Sequence, residues 1–289
     1  MKLGLIGLGR MGSGIADRLR DGGHTVVGYD ADPALSQVDS LQALVAQLEA
    51  PRVVWVMVPA GEPTQAVLDQ LTGLLSPGDV VVDGGNSYYR DSLRRAEQLT
   101  LAGLRFLDCG TSGGLWGRDA GYCLMAGGDR SAFALIEPIL ATLAAPGGYA
   151  YLGPAGAGHF AKMVHNGIEY GMLQAFAEGF ALLQACEYDY DLAGISGLWQ
   201  NGSVVRSWLL ELAERAFQSD ARLESLRGYV DDSGEGRWIV QEAVDRAVPL
   251  SVIAESLFRR FASREDDSFA MRFIAALRNE FGGHAVRKA

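Results

Sequence analysis

The chain has 289 residues, 48% of them hydrophobic and 21% charged, which is enough to bury a sizeable core and excludes disorder, a fibrous fold and a disulfide-stapled miniprotein. Lys and Arg number 25 against 35 Asp and Glu, a net charge of −10, and that balance argues against nucleic acid or an anionic membrane as partner. Glycine is the outlier, 37 residues with no collagen-like period, so the excess belongs in turns and close backbone approaches.

The three cysteines, Cys109, Cys123 and Cys186, are too few for a disulfide framework and lack metal-ligand spacing. A reducing, cytoplasmic compartment is the expectation. The most apolar stretches, residues 53–58 and 171–185, are too short to span a bilayer, so no membrane partner is expected.

In chain order, β-branched runs alternate with helical patterns. Strands are expected at residues 2–6, 25–29, 53–58, 80–83, 106–108, 122–126 and 150–152, with helices at 12–21, 41–48, 64–75, 92–102 and 130–143. This alternation implies parallel strands joined by crossover helices, a Rossmann-type doubly wound α/β sheet. The run Gly153-Pro154-Ala155-Gly156-Ala157-Gly158 reads as a hinge. After it the pattern is helical, at 159–186, 192–200, 204–217, 238–247, 250–261 and 268–279. Two domains follow from this, residues 1–155 as a dinucleotide-binding domain and 156–289 as an all-α domain for substrate and dimerisation.

Gly7-Leu8-Gly9-Arg10-Met11-Gly12 fits G-x-G-x-x-G between the first strand and the first helix. Gly7 permits the tight turn, Gly9 the approach of a pyrophosphate and Gly12 close helix–sheet packing, while the helix N-terminus offers free N–H groups. Asp30 ends the second strand, 18 residues past Gly12. A carboxylate there accepts from ribose hydroxyls and repels a 2′-phosphate, which favours NAD over NADP. The competing reading is that Asp30 merely opens the Asp30-Ala31-Asp32-Pro33 turn. Val58 at the end of the third strand, Pro59 and Ala60 after it, and Asn86 after the fourth, count with Leu8, Arg10 and Met11 as cofactor contacts.

Two further loops, Asp83-Gly84-Gly85-Asn86-Ser87 and Gly110-Thr111-Ser112-Gly113-Gly114-Leu115-Trp116-Gly117, follow strands, where open α/β sheets bind ligands. Backbone N–H groups at Ser112-Gly113-Gly114 suit a carboxylate; two ordinary loops are the alternative. Within the long helical pattern, Lys162, His165, Asn166, Glu169 and Tyr170 fan across about 140° of one face. Lys162 and Glu169 stand two turns apart, about 10 Å along the axis, so they can address different atoms of one small substrate. A partly desolvated Lys162 suits a general base; a solvated Lys and Glu is the plain alternative. His24, His159, His165 and His284 are scattered and no Asp, Glu and His cluster has metal spacing, so no metal is expected.

Taken together, GLGRMG, VDGGNSYYRD, GTSGGLWG and KMVHNGIEYGM resemble the 6-phosphogluconate dehydrogenases of the β-hydroxyacid dehydrogenase superfamily, over nearly the whole chain. The length and the wording GTSGGLWGRDAGYCLMAGG are similar to the short bacterial form. The resemblance implies oxidative decarboxylation of 6-phosphogluconate to ribulose 5-phosphate and CO₂ in the pentose phosphate pathway, with NAD or alternatively NADP. It implies Lys162 as base and acid, Glu169 as acid, and Asn86, Ser112, Gly113, Gly114, His165 and Asn166 as ligands of the carboxylate and hydroxyls. Tyr170 and Arg260 match phosphate ligands, and Arg278 with His284 matches an element that reaches a neighbouring subunit, which implies a homodimer or a dimer of dimers.

Two departures bear on this. The long form carries a K-G-T-G-K-W loop at the phosphate, where this chain reads Ser233-Gly234-Glu235-Gly236-Arg237-Trp238; a glutamate beside a dianion is repulsive unless it points away. NADP-using members commonly carry Asn-Arg where this chain has Tyr29-Asp30. The rival readings are a dehydrogenase of a small non-phosphorylated acid such as 3-hydroxyisobutyrate, which needs neither Glu169 nor the Arg260 and Arg278 pair, and a non-catalytic sensing module, which needs neither Lys162 nor Glu169.

Overall fold

The computed structural model describes residues 1–287. The chain divides into two compact units, Met1–His165 and Asn166–Ala289.

The first unit is built on one seven-stranded sheet: β1 (Lys2–Ile6), β2 (Thr25–Tyr29), β3 (Val53–Val56), β4 (Val80–Asp83), β5 (Arg105–Ser112), β6 (Tyr122–Gly128) and β7 (Ala144–Gly153), in the order β2-β1-β3-β4-β5-β6-β7. Its helices are α1 (Arg10–Asp21), α2 (Leu41–Ala46), α3 (Glu62–Thr72), α4 (Tyr89–Leu101), α5 (Gly117–Ala120) and α6 (Arg130–Leu143). Every residue of β3 and β4 is buried, which is why these strands read as unbroken apolar runs: helices cover both faces. Side chains still alternate between faces. Val53 and Trp55 join one core with Leu5, Ile15 and Ile136, while Val54 and Val56 join the other with Leu44, Leu68 and Leu99. β1 lies between β2 and β3, so chain order reverses there and a crevice opens at the carboxyl ends of β1 and β3, where doubly wound sheets bind ligands.

One expectation fails at β6. Strands β1 to β5 are parallel, but β6 runs antiparallel to β5, with Ser112 opposite Cys123. The segment between them holds only a single 3-10 turn (Gly114–Trp116) and the four-residue α5, too short for the dozen or more residues of a parallel crossover. The longer α6 restores a parallel return to β7. β7 also starts six residues before its expected start, at Ala144. Its first half contains Pro146-Gly147-Gly148, which reads as a turn; at the sheet edge it is absorbed by a register shift against β6.

Helix α7 (Ala157–Ala185) begins in the first unit and continues into the second. The second unit adds α8 (Leu192–Trp199), α9 (Trp208–Ser219), α10 (Glu235–Asp245), α11 (Ser251–Ala262) and α12 (Phe269–Gly282), with a small core of Phe180, Leu192, Leu210 and Phe217. α9 starts at Trp208, later than its pattern suggests, because the Ser207 hydroxyl caps it by accepting from the Leu210 N–H. No residue of α12 is buried. No helix among the described residues is long and apolar enough to cross a membrane.

Candidate active site

The glycine loop sits at the crevice between β1 and β3. Gly7 has φ +92°, a region that L side chains rarely adopt, and its N–H donates to the Tyr29 carbonyl at 2.9 Å. A methyl on Gly12 would run into the Gly7 carbonyl, so α1 approaches the strand as only a glycine allows. Gly9 heads α1 with no side-chain cap, and nothing lies within 4 Å of where its Cβ would stand. The first N–H groups of α1 therefore face an open cradle suited to an anion.

Asp30 does two jobs. Its Oδ2 accepts from the Leu8 N–H at 2.6 Å, tying β2 to the glycine loop, and its Oδ1 accepts from the Asp32 N–H at 2.8 Å, closing the turn. The turn reading and the cofactor reading are compatible, because a carboxylate offers about four acceptor sites. Arg10 is exposed on the first turn of α1. Met57 donates its N–H to the Ile6 carbonyl at 2.7 Å, which sets Val58, Pro59 and Ala60 beside the crevice, and the Pro59 carbonyl accepts from the Thr64 hydroxyl at 2.8 Å.

Asn86 follows β4 in a loop held by the buried Asp83, whose carboxylate pairs with Arg95 at 2.9 Å. Both side chains are almost fully buried. No motif singles out Arg95; its signal in the sequence is a charge on the core-facing stripe of α4, formed by Tyr89, Ser92, Arg95 and Leu99.

The start of α7 is seated on β5 by another carboxylate that no motif singles out. Asp108, wholly buried, accepts from the Gly156 N–H and the His159 N–H, both at 2.7 Å, satisfying donors at the helix start. Gly110 makes room for the next turn, since a Cβ there would overlap Lys162. Lys162 is 8% exposed. One turn on, His165 Nε2 lies 3.2 Å from the Ser112 hydroxyl. Gly113 and Gly114, at φ +128° and +53°, turn the chain directly after Ser112. The structure thus brings together Gly110, Ser112, Lys162 and His165. Cys109 is fully buried beside them, and burial together with the Asp108 and Asp83 charges pushes its thiol far up, so it is not a nucleophile.

In the second unit, Asn166 and Tyr170 are buried and Glu169 is half-buried on α7. The Arg260 guanidinium stacks on the Tyr170 ring at 3.5 Å, and the Tyr170 hydroxyl is buried with no hydrogen-bond partner among the described residues. Gly236 packs against that ring so closely that a Cβ would clash with it. Glu235 is buried. Asp232 is clamped by Arg237 at 2.6 Å and Arg264 at 2.6 Å; these bonds, Arg237's first, hold its carboxyl down to about 2. Arg237 also covers the Phe261 ring at 4.6 Å. Arg278 lies on α12 and His284 just past its end, where the His284 N–H donates to the Arg278 carbonyl at 3.4 Å. Gly283, left-handed at φ +62°, ends that helix by donating to the Asn279 carbonyl at 2.8 Å, and the Arg278 side chain makes no ion pair among the described residues. No group of three or more His, Cys, Asp or Glu gathers as a metal site among the described residues.

A family model for the NAD binding domain of 6-phosphogluconate dehydrogenase matches residues 2–153, and one for the 6-phosphogluconate dehydrogenase C-terminal domain matches 158–280. The chain belongs to the 6-phosphogluconate dehydrogenase family. A Bacillus subtilis protein, provisionally named a 6-phosphogluconate dehydrogenase, is 48% identical, with 100% of both chains covered. The Haloferax volcanii protein named NAD(+)-dependent, decarboxylating 6-phosphogluconate dehydrogenase is 45% identical over 100% of this chain and 99% of its own. The solved 6-phosphogluconate dehydrogenase of Plasmodium falciparum matches with a TM-score of 0.85 at 24% identity, over 100% of this chain and 66% of that one. That likeness shows the fold, and this chain spans about two thirds of that one's length. Family membership makes the chain an oxidoreductase with a nicotinamide cofactor, and the open cradle at Gly9 is a fit for the pyrophosphate of one.

Proposed function

We propose that the chain oxidises 6-phosphogluconate at C3 and decarboxylates it to ribulose 5-phosphate and CO₂, with NAD preferred to NADP. The observation that carries this reading is the seating of Lys162, an amine 8% exposed, pressed over Gly110 one turn from the paired Ser112 and His165. A solvated surface lysine has no need of a glycine beneath it.

A nicotinamide dinucleotide held at the Gly7–Gly12 loop would supply the acceptor for the hydride on C3. The neutral amine of Lys162 takes the C3 hydroxyl proton as general base. As an ammonium it then holds the C3 carbonyl oxygen, which accepts electron density as the C1 carboxylate leaves as CO₂. Lys162 passes its proton to that oxygen, giving the enediol; Glu169, two turns further along α7, then protonates the former C2 (C1 of the enediol) as Lys162 takes the proton back from the oxygen on C3. Ser112, Gly113, Gly114, Asn86, His165 and Asn166 hold the carboxylate and hydroxyls. Tyr170 and Arg260 take the phosphate, a role that the unpartnered hydroxyl and the stacked guanidinium support and that a dehydrogenase of a non-phosphorylated acid does not require. Asp30, at the β2 end, accepts from the adenosine ribose hydroxyls and repels a 2′-phosphate.

The active assembly on this reading is at least a homodimer, with Arg278 and His284 completing the site of a second copy. Support comes from α12, which buries nothing and exposes Phe269, Met271, Phe273, Leu277 and Phe281; an apolar surface of that kind marks an interface. Incubation with NAD⁺ and 6-phosphogluconate should release reduced nicotinamide and CO₂ in equal amounts. Reduction without CO₂, or turnover of 3-hydroxyisobutyrate instead, contradicts the reading.

A further inference from the structure

The buried stripe of α4 carries polar groups where a core-facing helix usually carries apolar ones. Arg95, 2% exposed, bonds three segments at once. Its Nη1 donates to Asp83 Oδ2 at 2.9 Å and to the Ser87 hydroxyl at 3.1 Å, its Nη2 to the Gly61 carbonyl at 2.9 Å, and its Nε to Gln65 Oε1 at 3.3 Å. Asp83 also accepts from the Ser87 hydroxyl at 2.8 Å and the Gly85 N–H at 3.2 Å, so the ion pair grips both sides of Asn86. Gly61 closes the loop after β3, and its carbonyl already accepts from the Gln65 N–H at 3.1 Å, leaving one lone pair for Arg95. One turn earlier on α4, the Ser92 hydroxyl lies 2.7 Å from His159 Nδ1, on the turn of α7 that precedes Lys162.

We propose that Arg95 is a positioning residue for the reaction: it sets the spacing between the loop at residues 57–61, which borders the dinucleotide, and the loop carrying Asn86, which borders dinucleotide and sugar acid alike. The inference rests on the assignment of those two loops under the proposed function. A buried ion pair is a weak device for stability alone, since apolar replacements do as well or better. Here the donors beyond the pair go to loops at the crevice. The rigid guanidinium fork serves two directions from one centre; a lysine ammonium in its place neutralises Asp83 but presents no such fork. The Ser92–His159 contact extends the same stripe to the helix that bears Lys162.

The test is Arg95→Lys in the full chain, with NAD⁺ affinity measured by equilibrium titration, KM and kcat measured separately for NAD⁺ and 6-phosphogluconate, and the thermal midpoint followed in parallel. The folded variant should bind NAD⁺ about tenfold more weakly and lose about tenfold or more in kcat/KM for the sugar acid, as misplaced reacting groups do. Its pH profile of kcat should keep its shape, because Lys162 and Glu169 are intact. Wild-type binding and turnover in folded Arg95→Lys, or a loss confined to thermal stability, overturns the proposal. If Arg95→Lys does not fold, Arg95→Met combined with Asp83→Asn removes both charges, and the same binding defect is expected from it; normal NAD⁺ affinity there overturns the proposal. A wild-type protein that binds NAD⁺ but leaves 6-phosphogluconate unchanged defeats the proposed function instead, and the NAD⁺ titration still decides the role of Arg95.

Discussion

Gly110 and Lys162 share a contact with no room for one more carbon: a Cβ on Gly110 would overlap Lys162 Cβ. β5 and the second turn of α7 are therefore fixed against each other at the residue proposed as the base. Gly110→Ala should shift α7 outward, costing about 1–3 kcal/mol of stability through overpacking. The larger effect should be on turnover, a fall of about 10²-fold in kcat. Steady-state kinetics on the folded variant check this; an unchanged kcat means that the Lys162 amine does not need its seat.

The proposed preference for NAD rests on Asp30. Removing its carboxylate with Asp30→Ala takes away both the repulsion toward a 2′-phosphate and the bond to the Leu8 N–H. The kcat/KM for NAD should fall and the NAD/NADP ratio narrow by roughly tenfold, equivalent to about 1.4 kcal/mol. Comparing kcat/KM for the two cofactors decides it. A wild type that prefers NADP contradicts the assignment.

Asp232 gives a pH signature in stability. Its folded carboxyl is held at about 2, below the ordinary 3.8, by hydrogen bonds from Arg237 and Arg264. A depressed pKa stabilises the fold above the unfolded value, and that contribution disappears as pH falls through the folded one. The thermal midpoint of the wild type should exceed that of Asp232→Asn at about pH 6, and the gap should close between about pH 4 and pH 2. A gap that is constant across that range would assign the effect to lost shape rather than charge.

Shared sites are testable by mixing subunits. Lys162→Met and Arg278→Ala chains should each be inactive alone. Combined and allowed to exchange, they should regain activity, because a mixed dimer holds one site in which both residues are intact. No recovery after verified exchange means that each chain is self-contained, and the role of Arg278 as the partner's ligand is lost.

Much of the fold was legible from the sequence for local reasons. β1, β2, β4 and α6 begin and end where their patterns do, since an apolar run bounded by Gly, Asp or Asn leaves little choice of register. The direction of β6 was not legible, because it depends on the length of a connection that looks like any other glycine-rich loop. The motifs single out residues in the loops after β1, β3, β4 and β5, but not what holds those loops. Asp108 reaches 48 and 51 residues along the chain to Gly156 and His159, and Arg95 reaches 34 residues back to Gly61. A charge in the sequence shows that a partner is needed; only the fold shows which one.

Lys162→Met asks whether the Lys162 amine is the general base. The variant should fold, bind NAD⁺ as the wild type does, and turn over 6-phosphogluconate at least about 10²-fold more slowly, the usual cost of a lost base. Retention of more than about a few per cent of the wild-type rate, with folding and NAD⁺ binding intact, would show that another group is the base.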